Sequence, residues 1–199
     1  MCCFVSSCTQ KEKKEKEEIK TIQEIHQILL DGGIIIYPTE SVFGLGCDPR
    51  IKTSVSKILK IKERPIGMGL ILLGGTLEHI KNWIVIDKDQ IKRVNKTTTR
   101  PTTFLIPASK QAPKWLTGKH TSIAFRKSKD PFINGITDLL QAPLVSTSAN
   151  FHGDPTINEY KIIREKMGDM VDYIVEGPCG EQDQPSTIVD LISGKNIRP

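Results

Sequence analysis

Residues Gly32-Gly33-Ile34-Ile35-Ile36-Tyr37-Pro38-Thr39-Glu40 decide the fold, because they hold a helix stop, an apolar strand and a polar loop in one short run. The glycine pair supplies the backbone freedom on which helices end. Ile34 to Tyr37 contains no polar interruption, so it reads as a strand covered on both faces rather than wetted on one. Pro38 lacks a backbone N–H and closes that strand. Upstream of the stop, Ile19, Ile22, Ile25 and Leu29 recur at helical spacing. Downstream, the same grammar repeats. A helix is expected over Ser54–Lys62, with Val55, Ile58 and Leu59 on one face and Pro65 beyond its end. Short strands are expected at Gly69–Leu73, Thr103–Ile106, Ser122–Arg126, Pro143–Thr147, Tyr173–Glu176 and Thr187–Leu191. Asp130-Pro131 places an N-cap before a proline at the first helical position, predicting a helix to about Gln141, and another is expected near Glu159–Met167. Alternating strands and helices with apolar strands imply an α/β protein: a twisted mixed sheet with flanking helices and its chemistry at strand ends.

The chain of 199 residues is 38% hydrophobic and 26% charged, which suits one globular unit with its own core. No apolar run reaches the roughly 20 residues of a membrane span. Residues 1–18 read as a flexible, charged appendage, since Lys11 to Glu18 contains only Lys and Glu and buries nothing. The start, Met1-Cys2-Cys3-Phe4-Val5, has too short an apolar stretch for a secretory signal. Five cysteines (2, 3, 8, 47 and 179) and four scattered histidines show no metal-ligand spacing, so no metal site is expected. Reduced thiols point to the cytoplasm. The net charge of +5 permits an anionic nucleotide or RNA as partner without selecting between them.

The common nucleotide and hydrolase signatures are absent: no G-x-x-x-x-G-K-[ST], no G-x-G-x-x-G after a strand, no G-x-S-x-G and no H-E-x-x-H. Three polar clusters remain. Tyr37-Pro38-Thr39-Glu40-Ser41 precedes Phe43-Gly44-Leu45-Gly46, where the glycines would let a ligand approach; equally, Thr39 or Ser41 could simply close a turn. Lys62-Glu63-Arg64-Pro65 offers a point charge and a bidentate fork that could converge on one anion, or merely complement a helix C-terminus. Ser146-Thr147-Ser148-Ala149-Asn150 follows a buried strand and suits either phosphate and carboxylate binding or a turn. Arg126 ends another strand, as a ligand group or as an edge ion pair.

Taken in order, Gly32 to Glu40, Lys62 to Pro65, Ser122 to Arg126, Ser146 to Asn150 and Pro185 to Asp190 resemble the blocks of the YrdC/TsaC family. The resemblance runs from about Thr21 to Arg198, in the manner of the short single-domain form. One departure stands out: Thr98-Thr99-Arg100 replaces the Trp-Pro-Gly common in that family. The resemblance implies a catalytic domain over residues 19–199 with a YrdC-like fold and a concave basic cleft. It implies formation of L-threonylcarbamoyladenylate from L-threonine, bicarbonate or CO2, and ATP accompanied by Mg2+. The product would pass to a tRNA threonylcarbamoyltransferase complex. By the same resemblance, Lys62 and Arg64 would be catalytic, and Lys62, Arg64, Ser122, Ser148, Asn150 and Arg198 would bind ATP. Thr39, Arg126, Ser146 and Ser186 would hold L-threonine. The alternative is a structured-RNA-binding or ribosome-maturation module without turnover, and contact with tRNA or double-stranded RNA is a further possible partner; no aromatic RNA-binding stripe supports it.

Overall fold

A computed structural model describes residues 21–96, 100–180 and 186–198. The charged segment 1–18, the substituted Thr98 and Thr99, and Pro185 lie outside the described residues. The described chain forms a mixed sheet of nine strands flanked by helices. A helix over residues 21–30 (α1) leads into β1 (Ile35–Pro38), β2 (Phe43–Cys47) and α2 (Lys52–Ile61). Then follow β3 (Ile71–Gly74), α3 (Lys88–Asn95), β4 (Thr102–Pro107), α4 (Lys114–Thr117), β5 (Ser122–Lys127) and α5 (Pro131–Leu140). The chain closes with β6 (Leu144–Ser148), α6 (Tyr160–Met167), β7 (Tyr173–Ile174), β8 (Thr187–Asp190) and β9 (Asn196–Arg198). The strand order is β7-β1-β2-β6-β3-β5-β4-β8-β9.

The helix stop forms as the glycine pair predicts. Gly32 takes a positive φ of 82°, and the Gly33 amide donates 2.8 Å to the Ile28 carbonyl. The strand that follows divides its side chains between two cores, as a period of two requires. Ile34 and Ile36 pack with Val55, Ile58 and Leu59 of α2 on one face, together with Val94, Leu116 and Ile163. Ile35 and Tyr37 pack with Ile25 and Leu29 of α1 and with Ile133, Ile136 and Leu140 of α5 on the other. Each fully buried Ile contributes on the order of 1.5–3 kcal/mol relative to exposure. Asp130 caps α5 as expected, its carboxylate accepting from the Ile133 amide at 3.1 Å.

Residues Phe43 to Gly46 depart from expectation. They form β2, paired with β1 and β6, rather than a loop, while Gly44 still lines the candidate cavity. The glycines make room for Tyr37. A Cβ on Gly44 would meet the Tyr37 ring at 3.0 Å, and one on Gly46 would meet Val145 O at 2.7 Å and Tyr37 Cε1 at 2.8 Å. The Tyr37 ring therefore lies across β2 and reaches β6.

Candidate active site

A cavity of about 620 Å³ opens where β1 and β6 end and β2 and β3 begin. Arg64, Arg126 and Arg198 line it, with the hydroxyls of Thr39, Ser41, Ser146, Thr147, Ser148 and Ser186. No carboxylate is among its described lining residues. Three guanidiniums among small polar side chains make a basket for anionic oxygen.

Thr39 does both things its sequence position allows. Its Oγ1 donates to Val42 O at 2.7 Å and so closes the turn between β1 and β2, while the residue lines the cavity. Arg64 follows α2, just past Glu63, which takes a positive φ of 47°. One Arg64 nitrogen donates to Gly69 O at 2.8 Å, and its buried Nε has no partner. Burial holds the Arg64 pKa below its usual value. Arg126 projects from β5; its Nε is also buried and unpartnered, and Nη2 stands 3.9 Å from Glu40 Oε2. At that separation the ion pair is loose, leaving the fork available to a bidentate anion. Arg198 comes from β9, which pairs with β8. Its Nε and Nη2 donate to Ser186 O at 3.1 and 2.7 Å, and Ser186 Oγ lies 2.9 Å from Thr103 Oγ1.

Lys62 is placed differently from the convergent point charge that the sequence suggests. It is buried and is not a lining residue. Its Nζ donates to Ser148 O at 2.9 Å, Asn150 O at 2.5 Å and Asn150 Oδ1 at 2.6 Å. An ammonium has three donors, so all are engaged by the end of β6 and the loop after it. Burial, and then the neighbouring Arg64 charge, lower its pKa to about 8. Asn150 is not a lining residue either: its Oδ1 accepts from Ser148 Oγ at 2.7 Å, and its Nδ2 donates to Asp154 O at 2.7 Å. Ser122 stands outside the lining as well. It shares the Arg126 face of β5 but sits at the other end, about 13 Å away at the rise of a strand. Thr156, Asn158 and Gly180 line the cavity without having been signalled, since they lie in loops with no periodicity or motif.

A second cavity, of about 360 Å³, lies at the opposite end of β2 and β6, against Arg50, His79, Lys81 and Trp83. Its basic groups have acidic partners: Arg50 with Asp48, Lys81 with Glu78, and His79 with Asp138. It therefore lacks the unspent charge of the first.

The chain as a whole has counterparts among known proteins. The Sua5/YciO/YrdC family, described as telomere recombination, matches residues 27–199. The chain belongs to the Sua5/YciO/YrdC family. Threonylcarbamoyl-AMP synthase of Coxiella burnetii (strain RSA 493 / Nine Mile phase I) is 39% identical over 180 residues, covering 90% of this chain and 97% of that protein. Threonylcarbamoyl-AMP synthase of Xanthomonas axonopodis pv. citri (strain 306) is 37% identical over 173 residues, covering 85% of this chain and 92% of that protein. A variant of Sua5 from P. abyssi superposes with a TM-score of 0.81 at 23% identity, covering 89% of this chain. The chain spans 56% of that Sua5, so the likeness is to a part of it and concerns the fold. The twisted mixed sheet with flanking helices is thus the family's architecture.

Proposed function

We propose that this chain is a threonylcarbamoyl-AMP synthase, an ATP-dependent nucleotidyltransferase serving threonylcarbamoyl-adenosine formation in tRNA. Relatives of that name match it over nearly their whole length. The structural observation that carries the proposal is the composition of one cavity: three arginines and a floor of small hydroxyls, with no carboxylate among its described lining.

The reaction asks for that composition. The threonine amine adds to CO2, or to bicarbonate with loss of water, and forms a carbamate. A carbamate oxygen attacks the α-phosphorus of ATP, and the bond to pyrophosphate breaks. No protein nucleophile is required, so the task is to hold mutually repelling anions in line. Arg126 holds the threonine carboxylate with its open fork, helped by Thr39, Ser146 and Ser186. Arg64, Arg198 and Ser148 hold the phosphates and stabilise charge on the phosphoryl oxygens. Lys62 and Asn150 act from outside the lining, by fixing the end of β6 and lending a positive field, and Ser122 would contact only a distal part of the nucleotide.

Among the described residues no group of three or more His, Cys, Asp or Glu could hold a metal ion. Mg2+ belongs to the substrate in this proposal, carried by the ATP phosphates. No helix among the described residues is long and apolar enough to cross a membrane. We place the enzyme in the cytoplasm, handing its adenylate to a tRNA threonylcarbamoyltransferase complex. Arg64→Ala tests the proposal: pyrophosphate release dependent on both threonine and bicarbonate disappears, whereas unchanged release overturns the assigned role.

A further inference from the structure

We propose that Tyr37 is a positioning residue for substrate selection: it orients the Ser146 hydroxyl so that this hydroxyl presents its proton to the substrate carboxylate. The inference rests on the functional reading above and deepens it. Tyr37 is fully buried, and its OH donates to Ser146 Oγ at 2.8 Å. A phenol is a stronger donor than an alkyl alcohol, which agrees with that direction. Ser146 has one proton and two lone pairs. With one lone pair occupied by Tyr37, its proton must point elsewhere, and the residue lines the cavity on that side. Accepting one hydrogen bond also strengthens the one it donates. The chain Tyr37 to Ser146 to substrate oxygen is thus polarised so that the Ser146 proton is offered to an anionic oxygen.

The backbone is built around this contact. Gly44 pairs with Tyr37, and Gly46 pairs with both Ile35 and Ser146. Only the missing side chains of those glycines let the ring cross β2 to reach Ser146. Burial pushes the Tyr37 pKa up to about 12, so the phenol keeps its proton through the working range. Nothing else in the site needs a tyrosine rather than a phenylalanine at this position: the ring alone would fill the gap and pack against Phe132, 6.5 Å away between ring centres.

The test uses Tyr37→Phe in the full chain, with binding of L-threonine and of L-threoninol, which replaces the carboxylate by a hydroxymethyl group. Loss of one neutral hydrogen bond in the relay is expected to weaken L-threonine binding about fivefold. L-threoninol binding and the KM for ATP stay within about twofold. In a Ser146→Ala background, Tyr37→Phe has no further effect on L-threonine. Equal weakening of both ligands, additive effects of the two substitutions, or unchanged L-threonine affinity overturns the inference. Wild-type protein that binds no L-threonine overturns the functional reading and this inference together. Wild-type that binds it, beside an unaffected Tyr37→Phe variant, overturns this inference alone.

Discussion

The Lys62 ammonium lies 2.6 Å from the Asn150 Oδ1 atom, and 2.5 Å from the Asn150 carbonyl, so a residue at the end of α2 ties down the loop that follows β6. A lysine in this position does structural and electrostatic work at once. Its removal takes the lysine donor from the Asn150 carbonyl, while Ser148 O keeps the Asn150 amide and Asn150 Oδ1 keeps the Ser148 hydroxyl, and the loss costs about 1–3 kcal/mol. Lys62→Ala should therefore lose activity and also lower the melting temperature by roughly 2–12 °C. Arg64→Ala, which gives up its charge-assisted bond to Gly69 O, should lose activity with a cost of about 1.5–3 kcal/mol. Thermal denaturation of the two variants side by side checks this; identical melting temperatures for Lys62→Ala and wild type contradict it.

The depressed lysine gives ATP binding a pH dependence with a definite sign. The anion favours the protonated form, and the free protein releases that proton at about 8. Below that value Lys62 is charged and affinity for ATP is flat with respect to this group. Above it, binding must take up a proton, so the Kd rises by up to about tenfold per pH unit. The arginines stay charged throughout, so they contribute no such slope. Calorimetric titration with ATP alone, between pH 7 and 9.5, reads the curve; an affinity independent of pH across that range contradicts the placement of Lys62.

Two glycines should respond to alanine in opposite directions. Gly46→Ala drives a methyl group into Val145 O and the Tyr37 ring, and should destabilise by about 1–3 kcal/mol. Gly135 lies inside α5, where an added Cβ meets only Ile22 Cδ1 at 3.9 Å. Gly135→Ala should stabilise by about 0.5–1 kcal/mol through helix propensity. Urea denaturation midpoints separate the two; a Gly46→Ala variant as stable as wild type contradicts the packing of Tyr37 across β2.

Much of this architecture is legible in the residues, and the exceptions have physical causes. The apolar strands and capped helices around Ile34–Tyr37 and Asp130-Pro131 are local features, and local features are what periodicity and capping report. β2 escaped because two glycines in a short strand look like a loop; the Tyr37 ring and the Val145 carbonyl that crowd them come from other strands. α3 escaped although Asp87 and Gln90 form a capping box, a signal present in the sequence. β9 is exposed and short, with no apolar pattern to announce it. For the site, the polar clusters were visible, and Thr39, Arg64, Arg126, Ser146, Ser148, Ser186 and Arg198 do meet at one cavity. The engagement of Lys62 by the end of β6 was not visible, because a long flexible side chain can reach either of two directions from the same Cα.

The most direct measurement incubates the protein with Mg2+-ATP and bicarbonate, adds each amino acid in turn, and detects the adenylate by mass. The account predicts threonylcarbamoyl-AMP with stoichiometric pyrophosphate from L-threonine, and neither product when threonine, bicarbonate or ATP is omitted. Pyrophosphate released without threonine, or no adenylate from any amino acid, would contradict it.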